Sequence, residues 1–383
     1  MKKNSIKMIT MTVLNEKQKL IQKSTREFVE KEFAPRASHW DERSEVPLEN
    51  IEKAAKQGLL GLRVPEKYGG QGLSLLDACT VWEEIARACA NTAFIIHILD
   101  ACSAILSEGG TEEQKDKYLP ALCKGEKLMA FSYSEPEGGT DLSKLSLSTK
   151  IDGGRHVINA QKIFTGLATV ADTFIVLTRT EKGYTLFVIE RNTPGLNVGA
   201  PNKFIGATAI GNAIVYFDNC VVNEKNIVGQ EGQGLSVILK VLPSILILDA
   251  MLAIGIARAS IEATIKHVKG REMFGATMDK LQGVRWKIAE MALAVEAARQ
   301  LAFYGAELLQ KNDPRASMVA SMAKWYATEM CVGVSKEALQ LFGGYGITRD
   351  FPLQRYLRDA LALTISGFPT DYHKSFVSQM LLE

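Results

Sequence analysis

The apolar period of this 383-residue chain changes twice, and no other feature narrows its possible folds as far. Up to about residue 125, apolar residues recur three and four positions apart. The stretches 16–33, 48–57, 75–88 and 92–106 each read as a helix with one apolar face. Pro35, Gly69-Gly70 and Gly109-Gly110 punctuate them, and Thr111-Glu112-Glu113-Gln114 has the form of a capping box opening a further helix. From about 126 to 226 the texture becomes short strands rich in β-branched and aromatic residues. Examples are Phe174-Ile175-Val176-Leu177-Thr178, Tyr184-Thr185-Leu186-Phe187-Val188-Ile189 and Ala213-Ile214-Val215-Tyr216-Phe217. Turn-forming Asp152-Gly153-Gly154 and Asn192-Thr193-Pro194-Gly195 separate them. After Gly234 the helical period returns, in segments near 235–269, 279–311 and 315–342. These changes predict an α+β chain of three domains: helical over 1–125, an antiparallel β-barrel or sandwich over 126–234, and a helical bundle over 235–383. Clefts between such domains are where large cofactors usually lie.

Charge and cysteine usage set the class. A formal net charge of +2, with no regional basic excess, argues against nucleic acid as a partner. The opening Met1-Lys2-Lys3-Asn4-Ser5-Ile6-Lys7-Met8 is basic but lacks the long apolar run of a signal peptide. No uninterrupted apolar stretch reads as a membrane span; the most apolar one, 241–256, is broken by Pro243 and Asp249 and reads as a buried helix. Six scattered cysteines with no CxxC pair fit reduced thiols in a cytoplasm and no metal site.

Six motifs in order then point to chemistry. Pro65-Glu66-Lys67-Tyr68-Gly69-Gly70-Gln71-Gly72 precedes Glu83-Glu84-Ile85-Ala86-Arg87. Phe131-Ser132-Tyr133-Ser134-Glu135-Pro136-Glu137-Gly138-Gly139-Thr140-Asp141 supplies main-chain groups and short hydroxyls that can hydrogen-bond a ligand without crowding it. Asn159-Ala160-Gln161-Lys162-Ile163-Phe164-Thr165-Gly166 follows. Arg271-Glu272-Met273-Phe274-Gly275, with Gln282, offers a guanidinium suited to an anionic group and an aromatic ring beside it. Gln340-Leu341-Phe342-Gly343-Gly344-Tyr345-Gly346 is a glycine-rich turn that allows close backbone approach. The last is the stretch from Arg358 to Asp371.

Along nearly the whole chain this order resembles the acyl-CoA dehydrogenases. The resemblance implies non-covalent FAD, a CoA thioester substrate, a homotetramer, and an electron-transfer flavoprotein as acceptor. It implies that Phe131, Tyr133, Ser134, Gly139, Thr140, Phe164 and Thr165 hold the flavin, with Thr370 and Asp371 also at the cofactor. Arg271, Phe274, Gln282, Gln340 and Gly344 would meet FAD across a subunit boundary. Two departures stand out. The threonine that approaches flavin N5 in the family is Gly166 here, with Thr165 beside it. The catalytic glutamate of the family's tyrosine-glutamate-glycine-threonine pattern is Gly367, and its alternative position, on the long helix of the bundle, is Ile245 followed by Leu246. Neither position can take a proton.

Two aspartates are candidate replacements. Asp100 shares a helical stripe with Ile96, and His97 lies three residues before it, placed to orient or charge-pair with it. Asp249 lies one turn beyond Ile245 in an apolar run, where desolvation favours a raised pKa. Each could instead be an ordinary hydrogen-bonded structural aspartate. A base deep in the acyl pocket reaches the γ-carbon of a conjugated substrate, as in 1,4-elimination on cyclohex-1-ene-1-carboxyl-CoA to the cyclohexa-1,5-diene, and Gly367 leaves room for a ring. The resemblance extends to the subgroup acting on such thioesters. Alternatives are 1,2-dehydrogenation of cyclohexane-carboxyl-CoA or a branched acyl-CoA with Asp249 as base, a flavin monooxygenase or nitroalkane oxidase on the same fold, and a non-catalytic thioester-binding protein.

Overall fold

The computed structural model describes residues 14–146 and 148–383; the basic stretch Met1–Met8 lies outside them. Six helices form the N-terminal part: α1 (Glu16–Glu32), α2 (Ala37–Arg43), α3 (Leu48–Lys56), α4 (Leu75–Ala88), α5 (Ala90–Gly109) and α6 (Glu112–Cys123). The capping box forms as read, with Thr111 and Gln114 each accepting the other's backbone N–H. Helix α5 has no charged residue in its first turn and is apolar on most sides, so it is buried from Ala90 to Ile96 without a break. That makes it a central post rather than an amphipathic cover.

The middle part is two four-stranded sheets. Strands β1 (Met129–Ser132), β2 (Thr149–Asp152), β3 (Arg155–Thr165), β4 (Thr173–Thr180), β5 (Gly183–Glu190), β6 (Leu196–Pro201), β7 (Ala213–Val222) and β8 (Ile227–Val228) sort into the orders β1-β4-β5-β8 and β2-β3-β7-β6. Pairing is antiparallel except for β1 with β4, which run parallel because β2 and β3, in the other sheet, intervene between them in sequence. A hydroxyl bond from Thr149 to Thr178, 2.8 Å long, joins the two sheets.

Helix α7 (Gly234–Gly270) opens the C-terminal part and runs through Pro243 without ending. A small hairpin of β9 (Glu272–Met273) and β10 (Ala276–Thr277) leads to α8 (Gln282–Gln310), α9 (Ala316–Phe342), α10 (Leu353–Ile365) and α11 (Thr370–Leu382). By length and hydropathy α5 and α7 would each suffice to cross a bilayer, which differs from the sequence expectation. Their most apolar windows are 83% and 72% buried inside the fold, so their hydropathy reports the core between domains. All six cysteines are buried and unpaired.

An internal ion network fixes how the helical parts meet. Glu83 accepts from Arg258 at 2.9 Å and Arg299 at 2.6 Å, while Glu84 accepts from Arg26, Arg87 and Arg258. Both carboxylates are buried, and their partners lie on α1, α4, α7 and α8. Losing one member would strand the others without water, so the network sets register between α4 and α7. That register places α5 beside α7.

Candidate active site

The turn at Gly367 organises the site. Helix α10 ends at Ile365 and α11 begins at Thr370; between them Gly367 and Phe368 have φ of +63° and +72°. Glycine adopts this region freely, whereas Phe368 does so at a cost of roughly 1–2 kcal/mol. Three contacts hold it there. The Phe368 ring stacks on Tyr372 at 4.5 Å and 21°. Lys324 Nζ donates to the Phe368 carbonyl at 2.7 Å, and His373 Nε2 donates to the Gly367 carbonyl at 3.0 Å. Sequence reading singled out none of these three residues. The available signal was the placement of Lys324 on the buried stripe of α9, among Ala320, Ala323 and Ala327.

Asp249 fills the space that Gly367 leaves. A Cβ built on Gly367 would stand 2.3 Å from Asp249 Oδ2. The carboxylate is 1% exposed, and neither oxygen has a hydrogen-bond partner among the described residues. Its Oδ1 lies 3.1 Å from His97 Nε2, within ion-pair range but out of line for a hydrogen bond. Burial pushes the Asp249 carboxyl up, as its apolar setting suggested. The opposing charge of His97, with lesser help from Lys324 and His373, reverses that and holds it below the ordinary carboxylate value. His97 moves the other way: burial disfavours its cation, but Asp249 prevails and raises it. The expectation of a raised Asp249 pKa is thereby corrected.

Asp100 has a different environment. Arg63, just beyond the short turn Leu59–Gly61, donates Nε to Oδ1 at 3.1 Å and a terminal nitrogen to Oδ2, so both carboxylate oxygens are engaged. His97 pairs with Asp249 and not with Asp100, a second correction. Three-residue spacing permits contact along a helix, but the residue facing it across the packed interface decides. Ile96 is fully buried and Ile245 half-buried, one turn before Asp249.

The residues expected from the sequence to hold the flavin gather at the ends of β1 and β3. The Ser134 carbonyl accepts from the Ile163 N–H at 2.8 Å. Beneath the loop, buried Lys162 donates to Glu135 at 2.8 Å, and Ser146 closes on the other Glu135 oxygen. Burial pulls the Lys162 pKa down even against that carboxylate. Phe131 stacks on Tyr133 at 5.2 Å, and Tyr133 faces Phe368 at 6.2 Å. Burial raises the Tyr133 phenol, and Asp249 adds to the shift. A Cβ at Gly139 would meet nothing nearer than Ser134 Oγ at 3.6 Å, and Thr140 is exposed. Phe164 stands 62% exposed at φ +54°, beside Phe204. Open backbone, short hydroxyls and uncovered rings fit FAD. The Thr165 side chain does not join them: it is buried and bonded to the Ser132 hydroxyl at 2.9 Å, leaving only its main chain for a cofactor. The alternation of β3 turns it inward. At Gly166 a Cβ would stand 2.6 Å from Ile98 Cδ1, so a threonine there would need the end of that side chain to shift.

A second group lies on the bundle. Phe274, at the hairpin tip, is 91% exposed, and Arg271, Gln282, Gln340 and Gly344 are exposed too. The Arg271 guanidinium lies 5.9 Å over the Tyr345 ring, tying the hairpin base to the glycine-rich turn. Thr370 donates its hydroxyl hydrogen to Glu329 at 2.7 Å, and exposed Asp371 pairs with Lys374.

The N-terminal, middle and C-terminal domains of acyl-CoA dehydrogenase match residues 15–126, 130–220 and 232–382. A short-chain specific acyl-CoA dehydrogenase of Clostridium acetobutylicum is 35% identical over 371 residues, covering 95% of this chain and 98% of the relative. A cyclohex-1-ene-1-carbonyl-CoA dehydrogenase of Syntrophus aciditrophicus is 35% identical, covering 92% and 86%. The structure of butyryl-CoA dehydrogenase from Megasphaera elsdenii superposes with a TM-score of 0.93 at 31% identity, covering 97% of this chain and all of that one. The chain belongs to the acyl-CoA dehydrogenase family, as a flavin oxidoreductase acting on CH–CH groups with FAD as its cofactor.

Proposed function

We propose that this enzyme oxidises the CoA thioester of a six-membered-ring acid, with Asp249 as the base in place of a side chain at 367. The observation that carries the proposal is the unbonded Asp249 carboxylate lying in the niche of the absent Gly367 Cβ. From that niche the base serves the carbon beside the thioester carbonyl, the one a glutamate at 367 would serve. With saturated cyclohexane-carboxyl-CoA, Asp249 takes the α-proton. FAD held beside Tyr133 and Phe164 would supply the acceptor for the hydride of the β-carbon, so that the product would be cyclohex-1-ene-1-carboxyl-CoA. His97 balances the Asp249 charge before transfer, and Tyr133 and Phe368 line the approach and keep it dry.

The Syntrophus relative favours a second reading, 1,4-elimination on cyclohex-1-ene-1-carboxyl-CoA, with loss of the γ-proton and hydride departure from the other β-carbon. Asp100 would then have to leave Arg63 to act as base. Anaerobic dye reduction with cyclohexane-carboxyl-, cyclohex-1-ene-carboxyl-, isobutyryl- and butyryl-CoA, with products identified by mass spectrometry, separates these readings. Reduction by the linear thioester alone would overturn both. The proposed acceptor is an electron-transfer flavoprotein, tested by slow reoxidation of the reduced enzyme in air. Exposed Phe274 and Arg271 support a homotetramer in which they reach a neighbour's FAD, and light scattering tests that assembly. The buried, unpaired cysteines fit a cytoplasmic setting.

A further inference from the structure

Beneath the Gly367 turn lies a buried polar layer that the proton-transfer scheme does not use. Lys324 is fully buried on α9, with its ammonium 2.7 Å from the Phe368 carbonyl. His373, fully buried on α11, bonds the neighbouring Gly367 carbonyl through Nε2 and faces Ser321 Oγ through Nδ1 at 3.4 Å. A carbonyl only accepts, so Nε2 carries the proton and Nδ1 accepts from Ser321. Two successive left-handed residues thus have both carbonyls clamped, one by a cation and one by a neutral imidazole.

We propose that Lys324 is a positioning residue for the base. It anchors the turn that abuts Asp249, and its buried charge favours the ionised carboxylate. The inference rests on Asp249 being the base. The groups facing Asp249 are His97 from α5, Lys324 from α9, His373 from α11 and Tyr133 beyond β1; those influencing Lys324 are Asp249 and Glu329. Burial brings the Lys324 pKa down to about 8, so it is still mostly a cation at neutral pH. Burial, with Lys324 adding to it, brings His373 down to about 4 and keeps it uncharged. Lys324 is therefore a positive charge among these neighbours at neutral pH, and Asp249 raises the pKa of His97 beside it.

The experiment compares wild type with Lys324→Gln, Lys324→Met and Asp249→Asn holoenzymes. It measures kcat/KM against pH, KM for the thioester and bound FAD. Removing a cation destabilises the Asp249 carboxylate, so the acid limb should move up by about one pH unit in both lysine variants. Lys324→Gln keeps a donor for the Phe368 carbonyl and should lose less kcat at the pH optimum than Lys324→Met. Lys324→Met loses the anchor as well, so its kcat should fall at every pH. An acid limb that stays in place in the FAD-loaded Lys324→Gln enzyme overturns the proposal, whatever the methionine variant does. If Lys324→Gln fails to load FAD while Lys324→Met loads it and keeps the wild-type limb, the proposal fails as well. Asp249→Asn separates the two levels of argument. If it is inactive while the lysine variants behave as wild type, only the role of Lys324 falls; if it is active, the base assignment falls and the role of Lys324 with it.

Discussion

Asp100 and Asp249 are both buried aspartates on long apolar helices, one in the N-terminal helical domain and one in the bundle, and their surroundings make them different chemical groups. Asp100 is held by both prongs of Arg63. Asp249 has a histidine beside it, a lysine behind it, no hydrogen bond and an open turn in front. A carboxylate gripped by a guanidinium stabilises an interface, because its lone pairs are engaged and its charge is matched. One left unbonded at a glycine turn is destabilising to the fold, a cost that makes sense where proton transfer needs it.

The sharpest break of this comparison is Asp249→Asn. We expect turnover to fall by about 10³-fold with FAD retained, within the range for loss of a general base, as measured by anaerobic dye reduction. Asp100→Asn should reverse the pattern. It strands Arg63, lowering stability by about 3 kcal/mol in denaturant titration while activity of the folded enzyme changes less than about tenfold. Should Asp100→Asn abolish turnover in folded, FAD-loaded protein, the assignment of the two roles is wrong.

A third buried aspartate sharpens the contrast through pH. Asp359 accepts the Ala207 N–H through Oδ1, while its Oδ2 has no partner, and burial raises it to about 6. A carboxyl whose folded pKa lies above its unfolded value binds its proton more tightly when folded. Stability from this group is therefore greatest below about pH 4 and is lost as pH rises towards 6. The advantage of Asp359→Asn over wild type should accordingly grow by about 3 kcal/mol between pH 4 and 7, read from unfolding curves at each pH. A constant difference would show that Asp359 is not protonated in the fold. The smallest effect is expected from Gly367→Ala. It adds a Cβ 2.3 Å from Asp249 at φ +63°, so stability should fall by about 1–2 kcal/mol and activity should drop as Asp249 is displaced.

The helix–strand–helix order was legible because apolar period and turn residues act locally, as at Thr111, where the capping box needs only residues three apart. The open loop after β1 could be read because glycines and short hydroxyls show it directly in Gly138-Gly139-Thr140. The absence of a base at 367 was equally plain. The partners of the candidate bases were not legible. Arg63 reaches Asp100 across 37 positions, and His97 meets Asp249 across 152, so nothing in local spacing announces either pair. Thr165 shows the same limit within one strand: its type suited the flavin, but strand alternation turned it toward Ser132.

By itself the sequence determined the three-part architecture, the flavin-binding framework and the loss of the glutamate, because each depends on residue type and near neighbours. Only the tertiary structure decided that Arg63 engages Asp100 while Asp249 stands beside His97 at the Gly367 turn. Burial makes the partner across an interface worth more than the neighbour along the chain, and only packing brings that partner into place.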